Sequence, residues 1–377
     1  MNNATGVGKS GTMTLFLSGD VMLGRGVDQI LPHPGDPVLF ERSAISARDY
    51  VRLAERRSGP LPAPVGFGYI WGDALAELER RRPDLRLINL ETAITKSGTA
   101  EPKGINYRMS PENLGVLKAA GIGACVLANN HVLDWAPAGL LDTLQSLQNA
   151  GIETVGAGRN RSEASRPLIV ETSSERRVIV LAFGSPDSGI PRSWAARDNA
   201  PGINLLPDDI DLTVDRCRAL MQAIRKPGDV TVASIHWGSN WGYEIPVEQR
   251  ALAHRLITDA KIDIVHGHSS HHVRPIEVYR GRLILYGCGD LINDYEGISG
   301  YEEFRDDLTL MYFARVSTAD GRLDGLDMVP YRIRAMRLER AGHDDAKWLV
   351  DTLNREAVTP DTHVELGPDA SLRLTWV

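Results

Sequence analysis

Apolar residues in this chain fall in short bursts, and their spacing alternates between that of strands and that of helices. Strand-like bursts occupy 14–18, 85–89, 124–128, 178–183, 230–236, 262–266, 283–286 and 308–316. Between and after them, 71–82, 111–120, 137–150, 210–224, 247–259 and 346–356 carry apolar residues at helical spacing with turn formers at their ends. Alternation at this frequency predicts an α/β fold of βαβ units, a largely parallel sheet covered by helices. The strands between 283 and 316 follow one another closely enough for hairpins, so a mixed sheet or a two-sheet sandwich is a further expectation.

Segments 32–43, 57–67 and 185–202 are rich in Pro and Gly and read as loop excursions of the kind that form lids or substrate walls. The opening MNNATGVGKSGT has no apolar stretch of the sort a signal peptide needs. Its GVGKS resembles the end of a phosphate-binding loop, but Asn3 stands where the first glycine belongs and no strand precedes it. The expected organisation is a flexible tail over 1–12, a catalytic domain over 13–330, and a C-terminal appendage over 331–377 packed on that domain. No segment approaches the roughly 20 apolar residues of a membrane span.

Polar residues recur where strands end. Asp20 follows 14–18, Glu91 follows 85–89, and Asn129, Asn130 and His131 follow 124–128. His236 ends 230–236, while His266, His268 and His271 cluster in VHGHSSHH and Asp290 and Asp294 in YGCGDLINDY. Ligands of open α/β sheets bind outside the carboxyl ends of strands, which makes these segments a candidate site. Taken singly, each has a plainer reading: an Asp after a strand caps a helix or makes a turn, and a lone histidine satisfies a core. Four histidines in seven residues are harder to assign to packing.

Composition narrows the chemistry. A net charge of −7 leaves no excess of Lys and Arg to neutralise a phosphate backbone, so nucleic acid is not an expected partner. Cys125, Cys217 and Cys288 are widely spaced, and Cys125 and Cys288 lie in apolar runs; buried thiols and a cytoplasmic location are expected. Without cysteine in the cluster, oxygen and imidazole donors suit Zn, Mn, Fe, Mg or Ca rather than Cu(I) or an iron–sulfur cluster.

Six stretches carry a family resemblance: GDVMLGRG (19–26), NLET (89–92), NNHVLDW (129–135), HWGSNWGYEIP (236–246), GHSSHHVRPIEVYRGRLILYGCGD (267–290) and NDYEGI (293–298). Together they resemble the poly-γ-glutamate capsule-synthesis (CapA-like) branch of the calcineurin-like metallophosphoesterases. The resemblance implies a β-sandwich of mixed sheets flanked by helices, with ligands to a divalent ion (Ca, Mn or Zn) at one sheet edge. It implies Asp20, Glu91, Asn130, His236 and His268 as metal ligands, with His131 beside the reacting group and His271 near the last histidine position. Three departures stand out. Met22 replaces the histidine of the first Asp-x-His motif, Glu91 replaces a bridging Asp, and the closing His-x-His is stretched to His268-Ser-Ser-His271. A two-metal hydrolase depends on both ions, so losing a ligand at Met22 points to one cation surrounded by spare acids and bases.

Such groups (His131 with Asp134, His268 or His271 with Asp290 or Asp294, and Asp20 itself) suit proton transfer at carbon. The resemblance extends to family members that epimerise the C-terminal residue of lasso precursor peptides. It leads to the expectation of a metal-dependent peptide epimerase acting on a precursor peptide with tryptophan as its C-terminal residue, with no pyridoxal phosphate and no nicotinamide. Trp135, Trp237 and Trp241 could stack on an aromatic substrate, core packing being the alternative for each; Arg108 could clamp a substrate carboxylate, and Arg25 and Lys103 are further candidates. The competing readings are a metal-dependent hydrolase or amide-processing enzyme of poly-γ-glutamate or capsule type, and a non-catalytic peptide- or metal-binding protein.

Overall fold

The computed structural model describes residues 11–172 and 175–377. Two sheets make up its centre. The larger has ten strands and runs Thr362–Leu366, Leu372–Trp376, Leu323–Arg334, Leu308–Ser317, Thr12–Val21, Leu85–Leu90, Ala124–Val126, Glu153–Val155. Asp290–Ile292 also pairs with Thr12–Val21, and Arg337–Arg340 with Leu323–Arg334. The smaller has six strands in the order Ile276–Tyr279, Arg282–Leu285, Ile264–His268, Val230–His236, Arg177–Gly184, Leu168–Glu171.

Side chains on a strand alternate between faces, and here both faces of each sheet are buried. Leu15, Leu17, Leu87 and Val126 of the larger sheet meet Val178, Val180, Val232, Ile264 and Leu285 of the smaller in one apolar cluster. The intervening Phe16, Ile88 and Cys125 face the other way, against Ala54, Leu78, Leu140 and Leu144 of the helices Arg48–Ser58, Ala74–Arg81 and Ala136–Ala150. On the far side, Ile179, Ala233, Ile235 and Val265 bury Val214, Cys217 and Met221 of Ile210–Ile224 and Leu252 and Leu256 of Val247–Thr258. The result is helix, sheet, sheet, helix: the sandwich of mixed sheets flanked by helices. Burial on both faces explains why the central strands are near-continuous apolar runs.

The largely parallel sheet expected from the alternation is corrected to two mixed ones, because the larger sheet is extended by antiparallel Leu308–Ser317 and Leu323–Arg334. The spacing misses Leu323–Arg334 since Asp324, Asp327, Arg332 and Arg334 interrupt its apolar run, although both of its faces bury apolar residues. It misses Arg48–Ser58 because that helix buries only Tyr50 and Ala54. Segment 111–120 divides into a 3-10 turn, Pro111–Leu114, and a short helix, Gly115–Ala119.

Of the expected tail, residues 1–10 lie outside the described ones; the Gly11 amide donates to Thr318 Oγ1 at 3.3 Å and Thr12 begins the first strand. A boundary at 330 would cut Leu323–Arg334 in two, and Leu349 and Leu353 of His343–Arg355 join the apolar cluster between the sheets. The three cysteines are buried free thiols. Among the described residues no helix is long and apolar enough to cross a membrane.

Candidate metal centre

Strand pairing brings the polar strand ends together. Thr12–Val21 lies between Leu85–Leu90 and Asp290–Ile292, and both partners are parallel to it, so Asp20 sits level with Asn89 on one side and Asp290 on the other. In the smaller sheet, His236 sits level with His268 by the same parallel register. Close approach at this edge requires glycine. A Cβ on Gly19 would lie 1.7 Å from the Gly289 carbonyl oxygen, whose residue accepts the Asp20 amide at 3.0 Å.

One donor set consists of Asp20, His236 and His268, whose ligand atoms all lie within 4.8 Å of one another. Hydrogen-bond accounting fixes the state of its imidazoles. His266 Nε2 meets the Ser18 carbonyl at 2.8 Å and must donate to it, which leaves Nδ1 to accept from the Ser234 hydroxyl at 3.0 Å. Ser234 Oγ then accepts from His268 Nε2 at 3.0 Å, so His268 Nδ1 carries a lone pair. On the other ring, His236 Nε2 donates to Asn130 Oδ1 at 3.1 Å, and its Nδ1 likewise carries a lone pair. The two Nδ1 atoms are 2.8 Å apart, and Asp20 Oδ1 is 3.8 Å from the His268 one. Two lone pairs and a carboxylate held this close together form an arrangement that a cation would resolve. Both rings stay neutral, since burial pulls His236 and His268 well below the ordinary histidine value.

The surrounding carboxyls say the same. Burial pushes Asp20 up to about 7 and Glu91 well above its usual range, and each carboxyl is raised further by a neighbouring acid. Asn89 Nδ2 bridges them, donating to Asp20 Oδ1 at 2.7 Å and to Glu91 Oε2 at 3.3 Å. A second donor set, Asp20, His271 and Asp290, shares Asp20 with the first. His271 Nδ1 and Asp290 Oδ1 are 2.9 Å apart, and Asn293 Nδ2 donates to Asp290 Oδ2 at 2.9 Å. Burial lowers His271, but attraction to Asp290 and their hydrogen bond outweigh it and leave the ring above its ordinary value. Met22 is buried and donates its amide to the Ile292 carbonyl at 2.8 Å. Buried oxygen and imidazole donors without thiolate fit a divalent ion of the hard or borderline kind.

His131 stands beside these sets, its Nε2 3.8 Å from Glu91 Oε1. Its Nδ1 donates to Asp134 Oδ2 at 2.6 Å, which fixes the tautomer and leaves the Nε2 lone pair facing the centre. Asp134 also accepts the Tyr107 amide at 2.6 Å and the Lys103 ammonium at 2.7 Å; Lys103 donates to the Asn130 carbonyl as well. Burial draws His131 down to about 4.

The remaining candidates divide. Trp241 borders the site, with its ring 5.4 Å from that of His271 and stacked on Tyr301 at 4.0 Å. Trp237 is turned the other way, into the cluster under the outer helices, and donates to the Tyr286 carbonyl. Trp135 is buried and donates to the Tyr107 carbonyl at 3.0 Å, with Arg108 3.8 Å above its ring. Arg108 spends its guanidinium on the Ser97 and Asp36 carbonyls, and Arg25 is buried against Asp294 and Glu41. Neither arginine is free as a clamp, and Asp294 is not free to back a histidine. Ser234 and Asn89 were not singled out from the sequence. The period of a strand could have found both, since each lies two residues before a ligand candidate and so on the same face.

Residues 14–295 match the family of the bacterial capsule synthesis protein PGA_cap. A probable polyglutamine synthesis accessory protein of Mycobacterium tuberculosis is 50% identical over 375 residues, covering 97% of this chain and 98% of the relative. The PGA biosynthesis protein CapA of Bacillus subtilis is 28% identical over 296 residues, covering 78% of this chain and 66% of that protein. The capsule biosynthesis protein CapA of Bacillus anthracis is 25% identical over 322 residues, 85% of this chain and 68% of that one. These names overturn the expectation of a lasso-peptide epimerase, and with it the isomerase chemistry: the three relatives are named for polyglutamine synthesis, PGA biosynthesis and capsule biosynthesis. By the extent of these matches, the chain belongs to the bacterial capsule synthesis protein PGA_cap family.

Proposed function

We propose that this protein is a divalent-metal-dependent hydrolase that processes amide bonds of a poly-γ-glutamate or related capsule polymer. The observation that carries it is the pair of facing Nδ1 lone pairs on His236 and His268 beside the Asp20 carboxylate, which calls for a cation. The names of the relatives supply the substrate class. Asp20, His236 and His268 would hold one ion, with Glu91 against it, while the Asn130 side chain, which accepts from His236 Nε2 on the far side of the ring, orients that ligand and is not one itself; Asp20, His271 and Asp290 would hold a second. Asp290 would then supply the donor that Met22 withdraws, which replaces the expectation of a single cation. With histidines in both sets, Mn or Zn suits the donors better than Ca. When bound, such an ion supplies Lewis acidity toward a carbonyl oxygen and makes a nearby water more acidic.

The chain's own residues do the rest. The His131 Nε2 lone pair accepts a proton from water as its oxygen attacks the amide carbon, and returns it to the nitrogen as the C–N bond breaks. Asp134 holds the ring in the tautomer this needs and supports the imidazolium in between. Lys103 and the Tyr107 amide keep Asp134 in place.

The test is incubation of the purified protein with γ-linked glutamyl oligomers in heavy-oxygen water, after chelation and after return of Mn or Zn. Cleavage that needs the metal, with one solvent oxygen in the new carboxyl, is expected. Cleavage indifferent to chelation, or no cleavage by the reloaded protein, overturns the reading.

A further inference from the structure

A cavity of about 480 Å³ lies on the outer side of the smaller sheet, and none of Asp20, His236, His268, His271 and Asp290 is among its lining residues. Strand pairing explains why it exists. Leu168–Glu171 pairs with Arg177–Gly184 only as far as Val180, so the second half of the longer strand is left without that partner. Residues 203–207 return to it instead: the Asn204 carbonyl accepts the Gly184 amide at 3.0 Å, and Asn204 Nδ2 donates to the Ala182 carbonyl at 2.8 Å. Leu181 and Phe183 of this half line the cavity, as do Leu205 and one stripe of the helix Ile210–Ile224. Thr213, Arg216, Cys217 and Leu220 stand at i, i+3, i+4 and i+7 and so share a face of that helix.

The charge of this lining is one-sided. It includes Arg161 and Arg216 and no carboxylate, in a chain whose net charge is −7. Burial pushes the Cys217 thiol up to about 12, so it stays neutral. Arg161 pairs with Asp198 at 3.3 Å, but both side chains are mostly exposed and the contact contributes little. Arg216 has no hydrogen bond or ion pair among the described residues. The acids near it in sequence are engaged elsewhere: Asp208 with Arg192, Asp211 with Arg255 and Asp215 with Arg218. Asp209 caps the helix seven residues before Arg216, about 10 Å along the axis and so about one screening length away.

We propose that this cavity binds a small amphiphilic carboxylate, its apolar chain against Leu181, Phe183, Leu205 and Leu220 and its head on Arg216. The volume falls within the range of about 300–1,000 Å³ found for small-molecule sites, and such sites pair an apolar lining with a few polar groups that fix orientation. A guanidinium with no carboxylate of its own chain supplies that group. The site is separate from the metal centre and stands whether or not the hydrolase reading does.

The experiment is titration calorimetry of the full-length protein with octanoate, and with octan-1-ol and acetate, which keep only the chain or only the head. Octanoate should bind, octanol about fivefold more weakly, and acetate not measurably. Arg216→Ala should weaken octanoate about fivefold, the scale of one exposed charge pair, and leave octanol unchanged, while Arg216→Lys keeps most of the affinity. Leu220→Trp, which fills the cavity from a half-buried position on the same stripe, should abolish binding of both at an unchanged unfolding temperature. Ala195→Leu repeats that test from a different segment of the lining. No binding of octanoate by the parent overturns the proposal. So does binding by Arg216→Ala, or by both filled variants, that equals the parent's.

Discussion

Ser234 shows how much one residue without a charge can decide. Its hydroxyl accepts from His268 and donates to His266, and this relay turns the His268 lone pair toward Asp20. Groups that orient a ligand in this way typically contribute 10- to 100-fold in metal affinity, so Ser234→Ala should weaken metal binding on the order of 10- to 100-fold, read by competition with a chromogenic chelator. An unchanged affinity would remove the relay from the account. His266 contributes differently. Burial pulls its ring from the ordinary 6.5 down to about 4, so the unfolded chain takes up a proton that the folded one refuses. The stability this represents is fully present above pH 6.5 and is lost as pH falls toward 4, a contribution of about 3 kcal/mol at the converted scale of 1.36 kcal/mol per unit. His131 and His272, also drawn down to about 4, act in the same direction. Asp20 opposes them, because its carboxyl is raised and favours folding of the metal-free protein at low pH. Glu91 and Asp306 act as Asp20 does, but with His236 and His268 five histidines are drawn down against these three raised carboxyls, so the unfolding temperature of the metal-free protein should drop between pH 6.5 and 4; a flat profile there would contradict the buried neutral rings.

At the scale of elements, the crossing of Thr12–Val21 and the segment before Asp290–Ile292 is the point on which the site depends. Gly19→Ala would drive its Cβ into the Gly289 backbone, and backbone cannot swing aside as a side chain can. It should cost about 3 kcal/mol or more, at the upper end of overpacking penalties, and should also reduce metal content by parting Asp20 from Asp290. Thermal unfolding together with metal analysis checks both; loss of stability with full metal retention would show that the register of Asp20 and Asp290 survives the strain. Leu17→Ala, two residues earlier and facing the smaller sheet, is the control. It leaves a cavity between the sheets and should cost about 2–5 kcal/mol without touching the donors.

For the whole molecule, the question is whether the C-terminal segment stands apart. Leu372–Trp376 pairs with Leu323–Arg334, and Leu349, Leu353 and Leu374 bury themselves between the sheets. One apolar cluster shared in this way predicts one cooperative unfolding transition by calorimetry, and removal of residues 342–377 should leave the remainder unable to give it. Two separate transitions would make the segment a unit of its own.

Much of this was legible in the sequence. Asp20, Glu91, Asn130, His131, His236 and His268 could be picked out because a polar residue directly after an apolar strand run leaves the core at the sheet edge, a consequence of local period alone. The central strands and most helices were legible for the same reason. Leu323–Arg334 and Arg48–Ser58 were not, since charged residues interrupt the apolar run of the first and the second buries only two residues. What the linear order could not contain was pairing. Nothing in the sequence places Asp290 level with Asp20, ties Asp294 to Arg25, or turns Trp237 away from His236 toward the outer helices; these follow from register and from which sheet face a residue meets. The residue types and their places at strand ends were thus determined by the sequence, through the short-range physics of burial. Which of them lie close enough to share a cation, and which merely hold the fold, was decided by the tertiary structure, because that depends on contacts between segments more than 200 residues apart.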